Sequence, residues 1–431
     1  MSDDAARAGA LARLLNRVAR VEARESSAVV IALLLFFFVL GGYFAVRPVR
    51  ETIGTLLGRE RVGELWGYTG IAAIAIVPIY GALVARVRRG VLLPAIYAIV
   101  ALSLFGCALL FARESSASWA GEFFYVWISV LNLLLVSVFW SFLLELFDTG
   151  QAKRLFGFIA AGGTAGALLG PVLTDLSVQH IGNSGVLVLG GVMFTAAIVC
   201  QRLLINIWKT APLQVATTAD RALGGNPFAG FALVLRSPYL LAIALYVVFI
   251  SVLNTFLYFE QLRLVESTFA DVEKRTQVFA RLDYSVQTLT VLSQVFLTGR
   301  IAQRFGAGAL LVLVPLAMIG GFAALAMAGS FAVLAVVFVL RRWGEYAFIR
   351  PAREMLFSTL DAQSKYKAKN LIDVPVYRVA DWTTAQVRNW LESGMLGATG
   401  VAWLGAVIAG AWAINGWWLG RRHRERATLQ P

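Results

Sequence analysis

Apolar residues run along this chain in about twelve stretches of membrane-spanning length, at roughly 20 residues per span. The first starts near Ser27 and continues past Arg47. The others are expected at about 65–85, 91–112, 120–147, 155–178, 184–200, 237–259, 276–299, 308–329, 330–357, 372–395 and 397–419. The third, sixth, ninth and twelfth carry no Asp, Glu, Lys or Arg, whereas the first, fourth, eighth, tenth and eleventh carry many. A charge in the hydrocarbon region costs several kcal/mol unless it faces protein or water. The clean helices are therefore expected to face lipid and the charged ones to line a shared polar path. Every third helix being clean predicts two six-helix halves, an all-α membrane protein of twelve spans.

Composition agrees with that pattern. The 431 residues are 59% hydrophobic and 15% charged, with mean hydropathy +0.72. The net charge of +13 points to nucleic acid in a soluble chain. Here the basic residues fall in alternate connections: Arg86, Arg88 and Arg89; Lys153 and Arg154; Lys209, Arg221 and Arg236; Arg300 and Arg304; Lys365, Lys367 and Lys369. That alternation is the positive-inside pattern. It predicts both termini in the cytoplasm, a bacterial inner membrane and no nucleic-acid partner. Residues 1–25 predict an amphipathic helix or tail, 26–207 and 237–420 the two halves, 208–236 a cytoplasmic linker, and 421–431 a basic tail. The first apolar run is too long for a cleaved leader and lacks a small-residue cleavage site. Cys107 and Cys200 lie in clean spans and are expected to be inert thiols. His180 and His423 lie outside the spans, so no metal, cofactor or catalytic set is predicted, and no enzyme. Gly162, Gly163 and Gly166 are read as a close helix contact within the fifth span.

The polar residues inside spans form faces. At 100° per residue, Tyr43, Arg47, Arg50 and Glu51 share one stripe of the first span, beside Pro48, which is expected to kink the helix. Two guanidiniums there suit bidentate capture of a carboxylate or phosphate; snorkelling to lipid headgroups is the alternative. Glu145 closes the fourth span, either as a cavity carboxylate or as a partner of Lys153 or Arg154. In the seventh span Asn254, Tyr258 and Gln261 share a face, with Glu260 roughly opposite. The eighth carries Arg281, Tyr284 and Thr288 on one face and Asp283, Gln287, Thr290 and Gln294 on another. In the tenth, Arg341–Glu345 and Arg350–Glu354 have the i,i+4 spacing of ion pairs. Arg342 and Arg353 share a face without such a partner, for anion contact or for interhelical pairing. The eleventh places Asp373, Tyr377, Asp381, Thr384 and Arg388 within about 80°, with Arg378 beside them; Asp373 also reads as a helix-terminal charge. Of the in-span groups singled out, nine arginines (Arg47, Arg50, Arg281, Arg341, Arg342, Arg350, Arg353, Arg378 and Arg388) stand against seven acids (Glu51, Glu145, Asp283, Glu345, Glu354, Asp373 and Asp381).

Two connections echo each other. Gly81-Ala-Leu-Val-Ala-Arg86-Val-Arg88-Arg89 follows the second span, and Gly299-Arg-Ile-Ala-Gln-Arg304-Phe-Gly306 follows the eighth. Both resemble the loop motif of the major facilitator superfamily, with Ala85 and Gln303 where its acidic residue usually stands. A second echo joins Asp148–Arg154 to Asp361–Lys367. Within that superfamily the chain resembles the nucleotide translocases, the ATP/ADP antiporters of plastids and intracellular bacteria. The likeness lies in Val46-Arg47-Pro48-Val49-Arg50-Glu51-Thr52, Phe139-Trp140 through Glu145 to Arg154, Glu260, Glu345-Tyr346, Arg353-Glu354-Met355 through Asp361 and Lys369 to Asp373. The family carries Lys at the position of Arg50. It also carries a basic, glycine-rich stretch where this chain has Ala380-Asp381-Trp382-Thr383. The resemblance implies a twelve-helix major facilitator fold and exchange of charged metabolites, with Arg50, Glu145, Glu260 and Lys369 as functional positions.

Together these features predict a monomeric inner-membrane transporter that moves a small anionic metabolite by alternating access. Nucleotides and phosphorylated compounds are among the candidates, with a proton or counter-solute as coupling partner. Glu51 and Arg47 are expected to gate the outer half of the path and Glu145 and Arg353 the inner half, with Asp283, Arg342 and Asp381 at mid-depth. A proton-coupled exporter of drugs or amphiphiles and a non-transporting membrane sensor are the alternatives.

Overall fold

The computed structural model describes residues 22, 25–86, 89–113, 119–208, 229–360, 368–369, 371–394 and 396–427. The expected N-terminal amphipathic helix, most of the linker and the Asp361–Lys367 echo lie outside them. Twelve membrane-length helical segments follow one another among the described residues. They are α1 (Ser26–Leu57), α2 (Arg59–Arg86), α3 (Arg89–Arg113), α4 (Trp119–Leu146), α5 and α6 (the two parts of Thr149–Trp208), α7 (Pro238–Thr268), α8 and α9 (from Val272 through Ala328), α10 (from Phe331 through Leu356), α11 (from Ile372 through Gly394) and α12 (Gly397–Ala427). A short helix, Ala229–Arg236, precedes α7. Seven helical stretches are long and apolar enough to cross a membrane, and two of these, Gly150–Ile207 and Val272–Ala328, each hold two spans.

Those two stretches break at glycines. Gly182 has φ 66° and ψ 178°, and Gly306 has φ 74° and ψ 174°. Only glycine adopts such angles without strain, so one residue suffices to turn from α5 into α6 and from α8 into α9. The eighth-span motif therefore continues as helix from Gly299 and turns at Gly306. α1 and α2 are separated by Gly58 alone. The second span thus begins at Arg59, six residues before the apolar run at 65. α1 itself is continuous through Pro48.

Two compact units result. The first comprises 1–56, 71–221 and 271–284; the second comprises 57–70, 222–270 and 285–431. The first turns of α2 thus group with the second unit and the first turns of α8 with the first.

In the first unit α5 meets α1 through bare backbone. A Cβ on Gly162 would sit 2.2 Å from the Leu33 carbonyl oxygen, and one on Gly166 2.3 Å from that of Phe37. Thr174 Oγ1 donates to the Ala45 carbonyl at 2.7 Å further along the same contact. α3 pairs with α6, and in the second unit α9 pairs with α12, where Gly308 and Gly420 face each other. These four clean helices keep large apolar side chains on their outer faces. Examples are Leu102 (69% exposed), Val192, Leu316 and Val407 (70%), the surface expected toward lipid.

At the start of α1, Glu25 is fully buried. It accepts hydrogen bonds from Gln151 Nε2 (2.9 Å), Arg154 Nη2 (3.0 Å) and the Glu22 N–H (3.1 Å). Burial works against its charge, but these donors outweigh it and hold the carboxyl below its ordinary value of 4.5. A lowered folded value means that the stabilisation is complete above the ordinary value and is lost as pH falls through the folded one. Glu25→Gln is therefore expected to lower the thermal midpoint at pH 7 and to match the parent in strong acid. An equal difference at both pH values would contradict this.

Candidate functional site

The last turns of α1 gather the polar cluster of the first unit. Glu51, 5% exposed, is in direct ion-pair contact with Arg50 and lies 3.7 Å from Arg47 Nη2. Arg47 Nη1 donates to both carboxylate oxygens of Asp283 on α8, at 3.0 and 3.1 Å. Arg50 Nη1 donates to Ser129 Oγ on α4 at 3.0 Å, and its guanidinium stacks 5.3 Å from the Tyr125 ring centre. Tyr43 is buried beside Phe44. The two arginines are thus held by two carboxylates.

The first turns of α8 add a second pair. Arg281 Nε lies 3.0 Å from Asp175 Oδ1 on α5, and the Tyr284 hydroxyl donates to Asp175 Oδ2 at 3.3 Å. Thr276 and Thr52 hydroxyls are 2.6 Å apart, and Arg275 Nη1 donates to Thr55 Oγ1 at 3.0 Å. On α8, Arg281 and Tyr284 thus share Asp175, while Asp283 takes Arg47. Removing one member of a buried ion pair costs about 3 kcal/mol or more. Arg47→Ala is expected to lose that much stability in thermal unfolding, and Asp283→Asn added to it to lose little more. Strictly additive losses would contradict the pairing.

In the second unit the charges of α10 and α11 are organised by Glu345. It accepts from Arg341 Nη2 at 3.1 Å and Arg350 Nη2 at 3.3 Å, while Arg341 Nη2 also donates to Asn254 Oδ1 on α7 at 2.7 Å. Arg341–Glu345 is the i,i+4 pair expected. Arg350 does not use Glu354; Glu354 binds Lys369 instead, at 2.6 Å to each oxygen. The reason is a π-helical turn over Glu345–Ile349. It advances five residues per bonded step and so carries Arg350 round to Glu345. Pro351 has no N–H, and the Ala347 carbonyl takes the Thr298 hydroxyl instead, at 2.9 Å. Two further π-turns, Gln294–Thr298 in α8 and Ile372–Val376 in α11, lie in the same unit.

The remaining predicted residues fall around this core. Arg342 donates to the Tyr346 hydroxyl at 3.2 Å and lies over the Phe338 and Tyr346 rings, at 5.4 and 5.6 Å. Arg353 pairs with Asp373 of α11 at 3.1 Å, which is the interhelical pairing that stood as the alternative to anion contact. Ser251 Oγ donates to Asp381 Oδ1 at 2.5 Å, and the Tyr377 hydroxyl stands 3.5 Å from Asn254 Nδ2. Arg388, 1% exposed, bridges Glu392 (2.7 Å) and Glu260 (3.8 Å); Glu260 also binds Arg263, and Glu392 binds Arg59. Trp66 packs on Tyr258 and Phe259 beside them. Gln287 is half-buried, and Glu145 is exposed at the end of α4, while Arg154 is engaged by Glu25. The sequence pattern did not single out Asp175, Ser129, Ser251, Arg263, Glu392 or Arg59. For Asp175 and Glu392 the signal was present, since each is an acid inside or at the edge of an apolar span.

No family model matches the chain, and no curated protein matches it. Solved structures do. The chain superposes on a bacterial homolog of the human lysosomal transporter Spinster with TM-score 0.62 at 14% identity, covering 94% of this chain and 99% of that one. An auto-inhibited peptide transporter of the POT family gives 0.63 at 15%, covering 92% and 97%. A D-xylose–proton symporter gives 0.60 at 16%, covering 91% and 97%. The fold is the major facilitator fold. The all-α, twelve-span architecture expected from the sequence is the one observed.

Proposed function

We propose that this protein is a secondary transporter that moves a small anionic solute by alternating access. The observation that carries the reading is one carboxylate shared by two guanidiniums in α10. Glu345 serves both Arg341 and Arg350, and beside them Arg342 rests on a phenol hydroxyl and two aromatic rings. Within α10 four arginines (Arg341, Arg342, Arg350 and Arg353) stand with two glutamates (Glu345 and Glu354). Such a local excess of positive charge inside a membrane helix is costly and favours an anion, and guanidinium geometry suits carboxylate or phosphate. The fold supports transport by analogy with structures whose names are those of transporters. The basic connections favour an inner-membrane orientation with cytoplasmic termini, and the resemblance of the sequence to nucleotide translocases adds nucleotides and phosphorylated metabolites to the anions to test.

The test is a ligand screen by thermal unfolding of the purified protein, with ATP, ADP, inorganic phosphate, succinate, lysophosphatidylglycerol and a cationic dye. A ligand at a hundred times its dissociation constant adds about 2.7 kcal/mol. Stabilisation by an anion, lost in Arg342→Gln, is the expected result. A response confined to the dye would overturn the anion reading in favour of an exporter of cationic compounds.

A further inference from the structure

Five carboxylates are buried among the described residues: Glu25, Glu51, Glu260, Asp283 and Asp381. The first four each have an arginine in ion-pair contact. Among the described residues Asp381 has none. It is 7% exposed, and its Oδ1 takes a single neutral donor, Ser251 Oγ. The groups around it are Ser251 and Asn254 from α7, Arg341 and Glu345 from α10, and Tyr377 and Arg378 from its own helix. Arg378 and Arg341 act on it only through space. It lies nine residues into α11 from Ile372, about 14 Å along a helix. An ionised carboxylate that is buried there without a bonded cation is costly, and a proton removes the cost.

Arg378 is the complement. It is half-buried, one turn from Asp381, and among the described residues it makes neither a hydrogen bond nor an ion pair. Arg341, Arg350, Arg353 and Arg388 all have carboxylates. An arginine and a carboxylic acid at i,i+3 share one helix face, so the charge on each affects the other.

We propose that α11 binds an anion at Arg378 and a proton at Asp381 together, which makes the protein an anion–proton symporter. The anion neutralises the guanidinium that favours ionised Asp381, and Asp381 then takes a proton from the solution to which the site is open. By reciprocity, a protonated Asp381 removes the negative charge that competes with the anion for Arg378. Anion and proton bind and leave as a pair, and no covalent bond other than the carboxyl O–H is made or broken. The idea rests on the transport reading above for its direction of use, but its first test does not.

That test follows the carboxylic-acid carbonyl band of Asp381 by infrared difference spectroscopy across pH, in the full-length protein, with Asp381→Asn as the assignment control. Asn keeps the size of the side chain. Arg378→Gln is expected to make Asp381 hold its proton about tenfold more tightly, within the usual range of coupling between sites. An unmoved titration, or no Asp381 band at any pH, overturns the proposal. The second arm loads liposomes carrying the protein with a pH dye and applies inward gradients of inorganic phosphate and of ATP. Expected is interior acidification with anion entry, and anion entry without acidification in Asp381→Asn. Anion entry without acidification by the parent overturns symport yet leaves transport standing. No entry of any anion defeats the transport reading instead.

Discussion

Arg388→Leu is expected to destabilise the second unit by about 3–5 kcal/mol, the range for stripping a buried charge of its partner. Arg388 is 1% exposed and bridges two carboxylates, Glu392 at 2.7 Å and Glu260 at 3.8 Å, over the ring of Phe259. Each acid keeps one other cation, Arg59 for Glu392 and Arg263 for Glu260. Without Arg388, however, the two acids repel across the space it filled, and a void of guanidinium size must be closed. Adding Glu260→Gln to Arg388→Leu is expected to recover part of the loss, because it removes that repulsion. The double-mutant cycle in thermal unfolding reads the coupling directly. A loss under about 1 kcal/mol for Arg388→Leu, or strict additivity with Glu260→Gln, would contradict the network.

Gly166→Leu is expected to prevent recovery of folded protein altogether. Its Cβ would lie 2.3 Å from the Phe37 carbonyl oxygen and 2.8 Å from the Gly41 nitrogen, and both obstacles are backbone. Side chains can turn aside; helix backbone cannot, so α1 and α5 must separate. In a membrane that contact is held by close packing and not by expulsion of water, so separation forfeits its whole stabilisation. Gly320→Ala is the matched control. Nothing lies within 4 Å of a Cβ there, and alanine in an exposed helix position gains roughly 0.5–1 kcal/mol over glycine. Monodisperse elution of the Gly166→Leu variant at the parent's yield would refute the α1–α5 contact.

Gly166 and Arg388 also show what could be read from the chain. The spans were legible because length and apolarity leave little choice once a helix must cross lipid, and glycines spaced four apart, as Gly162 and Gly166 are, advertise a close contact. The face of α11 from Asp373 to Arg388 was legible for the same geometric reason, since five polar residues recur on one side of a helix. Pairing was not. Arg47 and Asp283 are 236 residues apart, and Arg59 reaches Glu392 across 333; no spacing rule connects them. Arg350 illustrates a local failure. The i,i+4 rule assigns it to Glu354, but the π-turn shifts it to Glu345 and frees Glu354 for Lys369. A π-turn has no strong sequence signal beyond a nearby proline such as Pro351 or Pro375. The special position of Arg378 emerges only after the other pairings on α10 and α11 are known.

Flux through reconstituted protein bears most directly on the central claim. Liposomes containing the purified chain are given an inward gradient of the labelled anion that best stabilises it, with Gly320→Ala as positive control and Arg342→Gln as loss-of-binding variant. Saturable uptake above protein-free liposomes, retained in Gly320→Ala and abolished in Arg342→Gln, is the expected result. Uptake equal to protein-free liposomes for every stabilising anion would contradict it.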